Sequence, residues 1–262
     1  VTTSAVIADV RGLLAGDPVF LAGSLVAADV YGLGTDAYSD IDIFCPTGNV
    51  LVATAQKLLC QGFVLDDRMS RVWERWLRYG FKTWHTNSLK LTSPGGDETN
   101  LVYKLADGHP TTSLAQVVES FDFGLLGVGY DLETNTFRDA RAYLFPAEFT
   151  SPHAPLPLMP NKRSNWRNGF ISQYNGLREV GRYAKYATYG YDLSLVKDDL
   201  VTGYDMAYLY MSNHFDADKQ LLGQIYAAIR DHIKADNIPE MLKAAAVLNY
   251  KDSLDVIMAA LE

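Results

Sequence analysis

Cysteine is scarce in this chain of 262 residues: Cys45 and Cys60 are the two present, and they cannot build a disulfide framework. Neither sits in a Cys/His cluster with zinc-ligand spacing, which excludes a structural zinc module of the usual kind. A reducing, cytoplasmic compartment is the expectation. Long apolar runs are also missing. Nothing approaches the roughly 18 to 20 residues that span a bilayer, and the apolar N-terminal stretch is broken by Asp9, Arg11 and Asp17. No membrane partner and no signal peptide are expected. The five histidines are scattered without a ligand pattern, and no internal repeat or low-complexity tract is visible. What remains is ordinary globular composition, 48% hydrophobic and 21% charged, which excludes disordered and collagen-like chains.

The formal charge of -8 argues against a uniformly basic nucleic-acid binder, but the basic residues are unevenly placed. Residues 68 to 90 hold Arg68, Arg71, Arg75, Arg78, Lys82 and Lys90 against a single acid, Glu74. Residues 161 to 186 hold Lys162, Arg163, Arg167, Arg178, Arg182 and Lys185 against Glu179. Two anion-binding surfaces on an acidic body are therefore expected. Arg68, Arg71, Arg75 and Arg78 recur at intervals of three and four, so they share one face of a helix and are candidates for contact with RNA phosphates. The same spacing also suits a solvated face. In the second segment the interleaved tyrosines could stack on bases, although packing in a second core is the better account of most of them.

Periodicity organises the chain. Helical spacing runs from about Thr3 to Leu14, an apolar strand from Val19 to Ala22 ends in Gly23-Ser24, and residues 25 to 31 read as a helix. Ser39 to Phe44 alternates and is closed by Pro46, residues 51 to 60 form an amphipathic helix, and 68 to 78 form another. A hairpin is expected from 88–91 and 99–104 around the turn SPGGDE, then a helix over 111 to 119, then a turn at LETN before a last strand. Prolines at 146, 152, 155, 157 and 160 mark a linker, and the pattern beyond it is helical. The expected organisation is an α/β (α+β) head over 1–150 with a small mixed sheet, followed by an all-helical domain over 151–262.

The constellation with chemical content is Gly23-Ser24 followed, after fifteen residues, by Asp40-Ile41-Asp42. Alternation along a strand sets Asp40 and Asp42 on one face, close enough to hold a divalent metal between them. Such ions activate an attacking hydroxyl and neutralise charge developing on a triphosphate. A Gly-Ser turn at a strand end offers backbone N–H groups and a hydroxyl to phosphate oxygens.

These residues resemble the signature of the DNA polymerase β-like nucleotidyltransferase superfamily: Gly-[Gly/Ser] after an apolar residue, a spacer, then Asp-x-[Asp/Glu] on a strand. A second segment, FDFGLLGVGYDLETNTFRDA, resembles a motif of the head domain of tRNA nucleotidyltransferases (CCA-adding enzymes) and bacterial poly(A) polymerases, keeping the spacing of Asp122, Tyr130-Asp131, Glu133-Thr134 and Asp139. Arg182-Tyr183-Ala184 through Gly190-Tyr191 is similar to a later helix of the same family, with one residue missing. The resemblance implies that Asp40 and Asp42 bind Mg²⁺ (or Mn²⁺) and that Gly23 and Ser24 touch the triphosphate. It further implies that Asp122 supports the metal site or the ribose, and that Arg178 and Arg182 approach the nucleotide. A third acidic ligand has two candidates, Asp122 and Glu98, with Asp122 preferred on the family match.

Departures limit what carries over. Ala27 stands where the family has an arginine, Ser120-Phe121 stands where it has Arg-Arg, and no Glu-Asp-x-x-Arg element follows the head. CCA synthesis is therefore not expected. The activity implied is transfer of a nucleoside monophosphate from an NTP to a hydroxyl, with an RNA or tRNA 3′ end as the preferred acceptor. A protein or small-molecule acceptor, or a non-catalytic nucleotide- or RNA-binding module, are the alternatives.

Overall fold

A computed structural model describes residues 2–66, 69–70, 73–74, 78, 88–106, 109–121, 124–140, 186 and 189. The chain divides into two compact units, Val1–Ala154 and Pro155–Glu262. The first is a mixed α/β unit on a seven-stranded sheet. The helical domain expected over 151–262 lies outside the described residues apart from two tyrosines. Tyr186 is buried and meets Tyr189 edge to face, with ring centroids 5.9 Å apart, which is packing rather than an open stacking platform.

Helix α1 (Thr3–Leu13) starts where the periodicity places it, because the Thr2 hydroxyl accepts from Ala5 N at 3.2 Å and caps the first turn. Strand β1 (Phe20–Ala22) follows and is wholly buried. Helix α2 (Ser24–Val30) comes directly after Gly23, and its Leu25, Val26, Ala27 and Ala28 are fully enclosed. A helix apolar on every side belongs in a core, and this one is tied to α1 by Thr3, which donates to Asp29 at 3.1 Å. Strand β2 (Ile41–Phe44) is shorter than the alternating run that begins at Ser39, since pairing starts only at Ile41. Helix α3 (Gly48–Cys60) is capped by Thr47, which accepts from Val50 N at 3.2 Å, and buries Leu51, Thr54, Ala55 and Leu58 as one stripe.

Strands β3 (Val64–Leu65), β4 (Ser88–Thr92) and β5 (Glu98–Val102) come next, β4 and β5 forming the expected hairpin. Between β3 and β4, residues 69, 70, 73, 74 and 78 are helical, in agreement with the helix read over 68 to 78. A small ribbon of β6 (Leu105–Ala106) and β7 (His109–Pro110) precedes helix α4 (Leu114–Glu119). That helix starts three residues later than the expected 111, because the Ser113 hydroxyl accepts from Gln116 N and fixes the start there. Strands β8 (Val128–Asp131) and β9 (Thr136–Asp139) close the sheet. Their turn is built by Asp131, whose Oδ1 accepts from the backbone N of Glu133 at 3.0 Å and of Thr134 at 3.1 Å, with Asn135 in the left-handed region at φ 55°.

The strand order is β3-β4-β5-β2-β1-β8-β9. Every neighbouring pair is antiparallel except β2 and β5, which run parallel. Direct cross-strand partners share a face. One row, Leu89, Leu101, Ile43 and Leu21, is buried to within 1% and forms the core. The adjacent row points to the opposite face and reads Lys90, Asn100, Asp42, Ala22, Gly129, Arg138. Helix α4 covers the Ala22–Gly129 half of that face, with Leu114 so close that a Cβ on Gly129 would lie 2.8 Å from Leu114 Cδ1. The polar half carries the candidate site.

Candidate active site

Asp42 lies within β2 and Asp40 one step before it, both half-buried. Alternation predicts a common side for them, and one neighbour confirms it. Asn100 Nδ2 donates to Asp40 Oδ2 at 2.6 Å and to Asp42 Oδ1 at 3.1 Å. Asn100 reaches both because β5 runs parallel to β2 with Asn100 directly opposite Asp42. The outer oxygen of Asp40 accepts from Ser39 Oγ at 2.9 Å.

Gly23 closes the site from the β1 side. Its φ of +96° is a conformation that L side chains rarely adopt, and a Cβ there would stand 2.7 Å from Asp42 Oδ2. Two independent reasons therefore demand glycine, and its absent side chain leaves the Asp42 carboxylate directly against the strand-to-helix turn. Ser24 follows as the first residue of α2 and is 5% exposed.

Lys90 is a cation beside this group, two strands from Asp42 in the same row. Its Nζ pairs with Glu98 Oε2 at 2.8 Å, with both side chains about half exposed. The Glu98 hydrogen bond and charge, with smaller contributions from Asp40 and Asp66, raise the lysine pKa against the opposing effect of burial. Cys45, just past β2, is no nucleophile: burial pushes its thiol up to about 12, outweighing the hydrogen bond with Thr54 that acts the other way.

The donor set suits a hard divalent ion. Two neighbouring carboxylates are ligands that Mg²⁺ and Mn²⁺ accept, and the missing Cβ of Gly23 lets the strand-to-helix turn approach Asp42 closely. Among the described residues, which do not include Asp122, no group of three or more histidine, cysteine, aspartate and glutamate side chains is placed to hold a metal.

Of the residues marked by sequence, Gly23, Asp40 and Asp42 converge, and Ser24 follows Gly23 as a buried residue. Glu98 is exposed and turned to Lys90. Arg78 is exposed on its helical stretch. Asp122, Arg178, Arg182, Arg68, Arg71 and Arg75 lie outside the described residues. Sequence reasoning missed Asn100. Its one signal was the alternation in Thr99-Asn100-Leu101, which sets it opposite to two buried neighbours. The positions that depart from the family motif are structural: Ala27 is fully buried, and Phe121 stands edge-on to Phe44 at 5.5 Å. A depression of about 380 Å³ between Arg11, Gly12, Gly16, Glu133 and Asn135 shares no residue with the carboxylate site. No helix among the described residues is long and apolar enough to cross a membrane. No protein-family model matches the chain, and no curated protein matches it significantly.

Proposed function

We propose that the chain is a metal-dependent nucleotidyltransferase, moving a nucleoside monophosphate from an NTP to a hydroxyl acceptor. What carries the reading is the convergence of Asp40, Asp42 and Gly23, which brings two carboxylates and a side-chain-free turn to one point on the sheet. Asp40 and Asp42 hold Mg²⁺ or Mn²⁺, which when bound lowers the pKa of the acceptor hydroxyl and offsets charge on the triphosphate. The Gly23-Ser24 turn receives the phosphates, as close approach without a Cβ permits. The hydroxyl oxygen forms a bond to the α-phosphorus in line with the leaving group. The bond to the bridging oxygen breaks, pyrophosphate departs with that electron pair, and the hydroxyl proton passes to solvent.

RNA, in particular a tRNA 3′ end, is the preferred acceptor, supported by the arginines at 68, 71, 75 and 78 and by the basic stretch at 161 to 186. A protein or small-molecule acceptor is the second reading. It is favoured by the burial of Ala27 and Phe121, which leaves neither position able to offer a cation to phosphate.

The test is incorporation of each of the four α-labelled NTPs, with Mg²⁺ or Mn²⁺, into total RNA, protein and small molecules, beside Asp40→Ala and Asp42→Ala. Label on RNA that both substitutions abolish supports the first reading and identifies the base. Label on protein or a small molecule supports the second. Undiminished turnover in both variants overturns the assignment, and NTP binding without pyrophosphate release marks a binding module.

A further inference from the structure

Asn100 has no role in the reading above, yet its amide occupies the centre of the site. We propose that Asn100 is the third protein ligand of the divalent ion, through its amide Oδ1, so that the ion is held by two carboxylates and one neutral oxygen. The inference rests on the metal reading of Asp40 and Asp42.

Geometry carries it. An octahedral ion with metal–oxygen bonds of about 2.0 to 2.1 Å sets neighbouring ligand oxygens about 2.9 Å apart. The terminal amide atom of Asn100 lies 2.6 Å from Asp40 Oδ2 and 3.1 Å from Asp42 Oδ1, so it stands near the edge length of such an octahedron from each carboxylate oxygen. Without the ion, that amide atom is a nitrogen donating to both carboxylates. The amide's oxygen and nitrogen are close to isosteric, and the terminal torsion that exchanges them is broad and roughly two-fold. A half-turn therefore brings an oxygen to the same place, where it faces a cation as favourably as the N–H groups face the anions. Asn100 thus serves both states: it stops two half-buried carboxylates from repelling one another when the ion is absent, and coordinates it when present.

Among the described neighbours, this role falls to Asn100. Glu98, two residues earlier on the same face of β5, is engaged by Lys90 at 2.8 Å. Lys90 sits directly across from Asn100 on β4, so positive charge flanks the amide on the side away from Asp42. A neutral third ligand also leaves the site one negative charge short of a three-carboxylate cluster. That predicts weaker binding of the free ion and greater reliance on phosphate oxygens to complete the shell.

The experiment is titration of the metal-stripped full chain with Mn²⁺, followed by electron paramagnetic resonance, for the wild type, Asn100→Leu, Asn100→Ser, Asn100→Asp and the double variant Asp40→Asn/Asp42→Asn. Loss of the amide ligand in Asn100→Leu and Asn100→Ser should weaken Mn²⁺ binding about tenfold or more, and Asn100→Asp, with its added charge, should tighten it by a similar factor. Bound Mn²⁺ in Asn100→Leu should carry one more coordinated water than in the wild type, counted by broadening from oxygen-17 water. A residue that merely positions the two aspartates would leave that count unchanged. Asn100→Ser and Asn100→Asp keep the test valid if the leucine variant does not fold, as checked by circular dichroism. Wild-type affinity and water count in the leucine or serine variant overturn the ligand role while leaving the carboxylate site intact. Failure of the wild type to bind Mn²⁺, or equal binding by the double aspartate variant, overturns the metal reading itself.

Discussion

Two rows of side chains cross the same sheet one residue apart, and they meet opposite fates. Leu89, Leu101, Ile43 and Leu21 make a fully buried layer, while Lys90, Asn100 and Asp42, their immediate neighbours in sequence, make the candidate site. A strand supplies both because its side chains alternate, so a rigid apolar row holds each polar residue in place from behind. The polar row is itself divided. Past Asp42 it continues through Ala22 and Gly129, where α4 packs on it and leaves no room for chemistry. Small residues in one half admit a helix; polar residues in the other half face a possible ligand.

The sharpest way to separate the rows is to truncate adjacent residues of β2 and β5. If the proposed transferase activity holds, Asp42→Ala is expected to cost several kcal/mol of transition-state stabilisation, roughly a thousandfold in transfer rate, with the melting temperature unchanged or raised by relief of repulsion from Asp40. Leu101→Ala, next to Asn100 but fully buried, is expected to lower stability by about 2 to 5 kcal/mol in urea denaturation. If Asp42→Ala proves the more destabilising of the two, the division between the rows is wrong.

The two glycines at the ends of β1's environment sharpen the same contrast. Gly129→Ala would place a Cβ 2.8 Å from Leu114 Cδ1 and 2.9 Å from the Leu21 carbonyl oxygen, an overpacking expected to cost about 1 to 3 kcal/mol in chemical denaturation without affecting Mn²⁺ binding. Gly23→Ala adds a strained φ and drives a methyl toward Asp42 Oδ2, so it should weaken Mn²⁺ binding as well as stability.

The cysteines probe the layer just past β2. Cys60 is exposed and should react with a thiol reagent in the native protein, whereas buried Cys45 should react only on unfolding, as counted by mass spectrometry. Because burial raises the Cys45 thiol from 9.0 to about 12, its contribution to stability is complete below pH 9.0 and falls as pH climbs toward the folded value. The smallest effect belongs to the exposed rim of the polar row. Lys90→Met should change stability by at most about 1 kcal/mol, because solvent screens a pair this open. Its raised pKa has the same sign as that of Cys45. The contribution is present below the lysine's ordinary 10.5 and is lost as pH rises through the higher folded value, which denaturation at two pH values will register.

Much of this was legible along the chain because its causes are local. Helical spacing marks α1, alternation sets Ile41 and Ile43 against Asp40 and Asp42, and the turn at LETN joins β8 to β9, whereas the Thr47 cap starts α3 at Gly48, before the expected 51. Local signals misplace ends where side chains decide the matter, as at Ser113, whose hydroxyl starts α4 later than periodicity implies. The site was half legible for the same reason. Asp40 and Asp42 are two residues apart, whereas Asn100 lies 58 residues beyond Asp42 and meets it through parallel pairing.

By itself, the sequence determined the periods, caps and turns, and through the spacing of Gly23, Asp40 and Asp42 it marked the candidate site. Those features need only a few consecutive residues to act. Tertiary structure alone decided that β5 lies beside β2, that Asn100 meets both aspartates, and that α4 closes one half of the face. Strand order is a property of how separate elements bury their apolar rows together, and no single stretch of chain contains it.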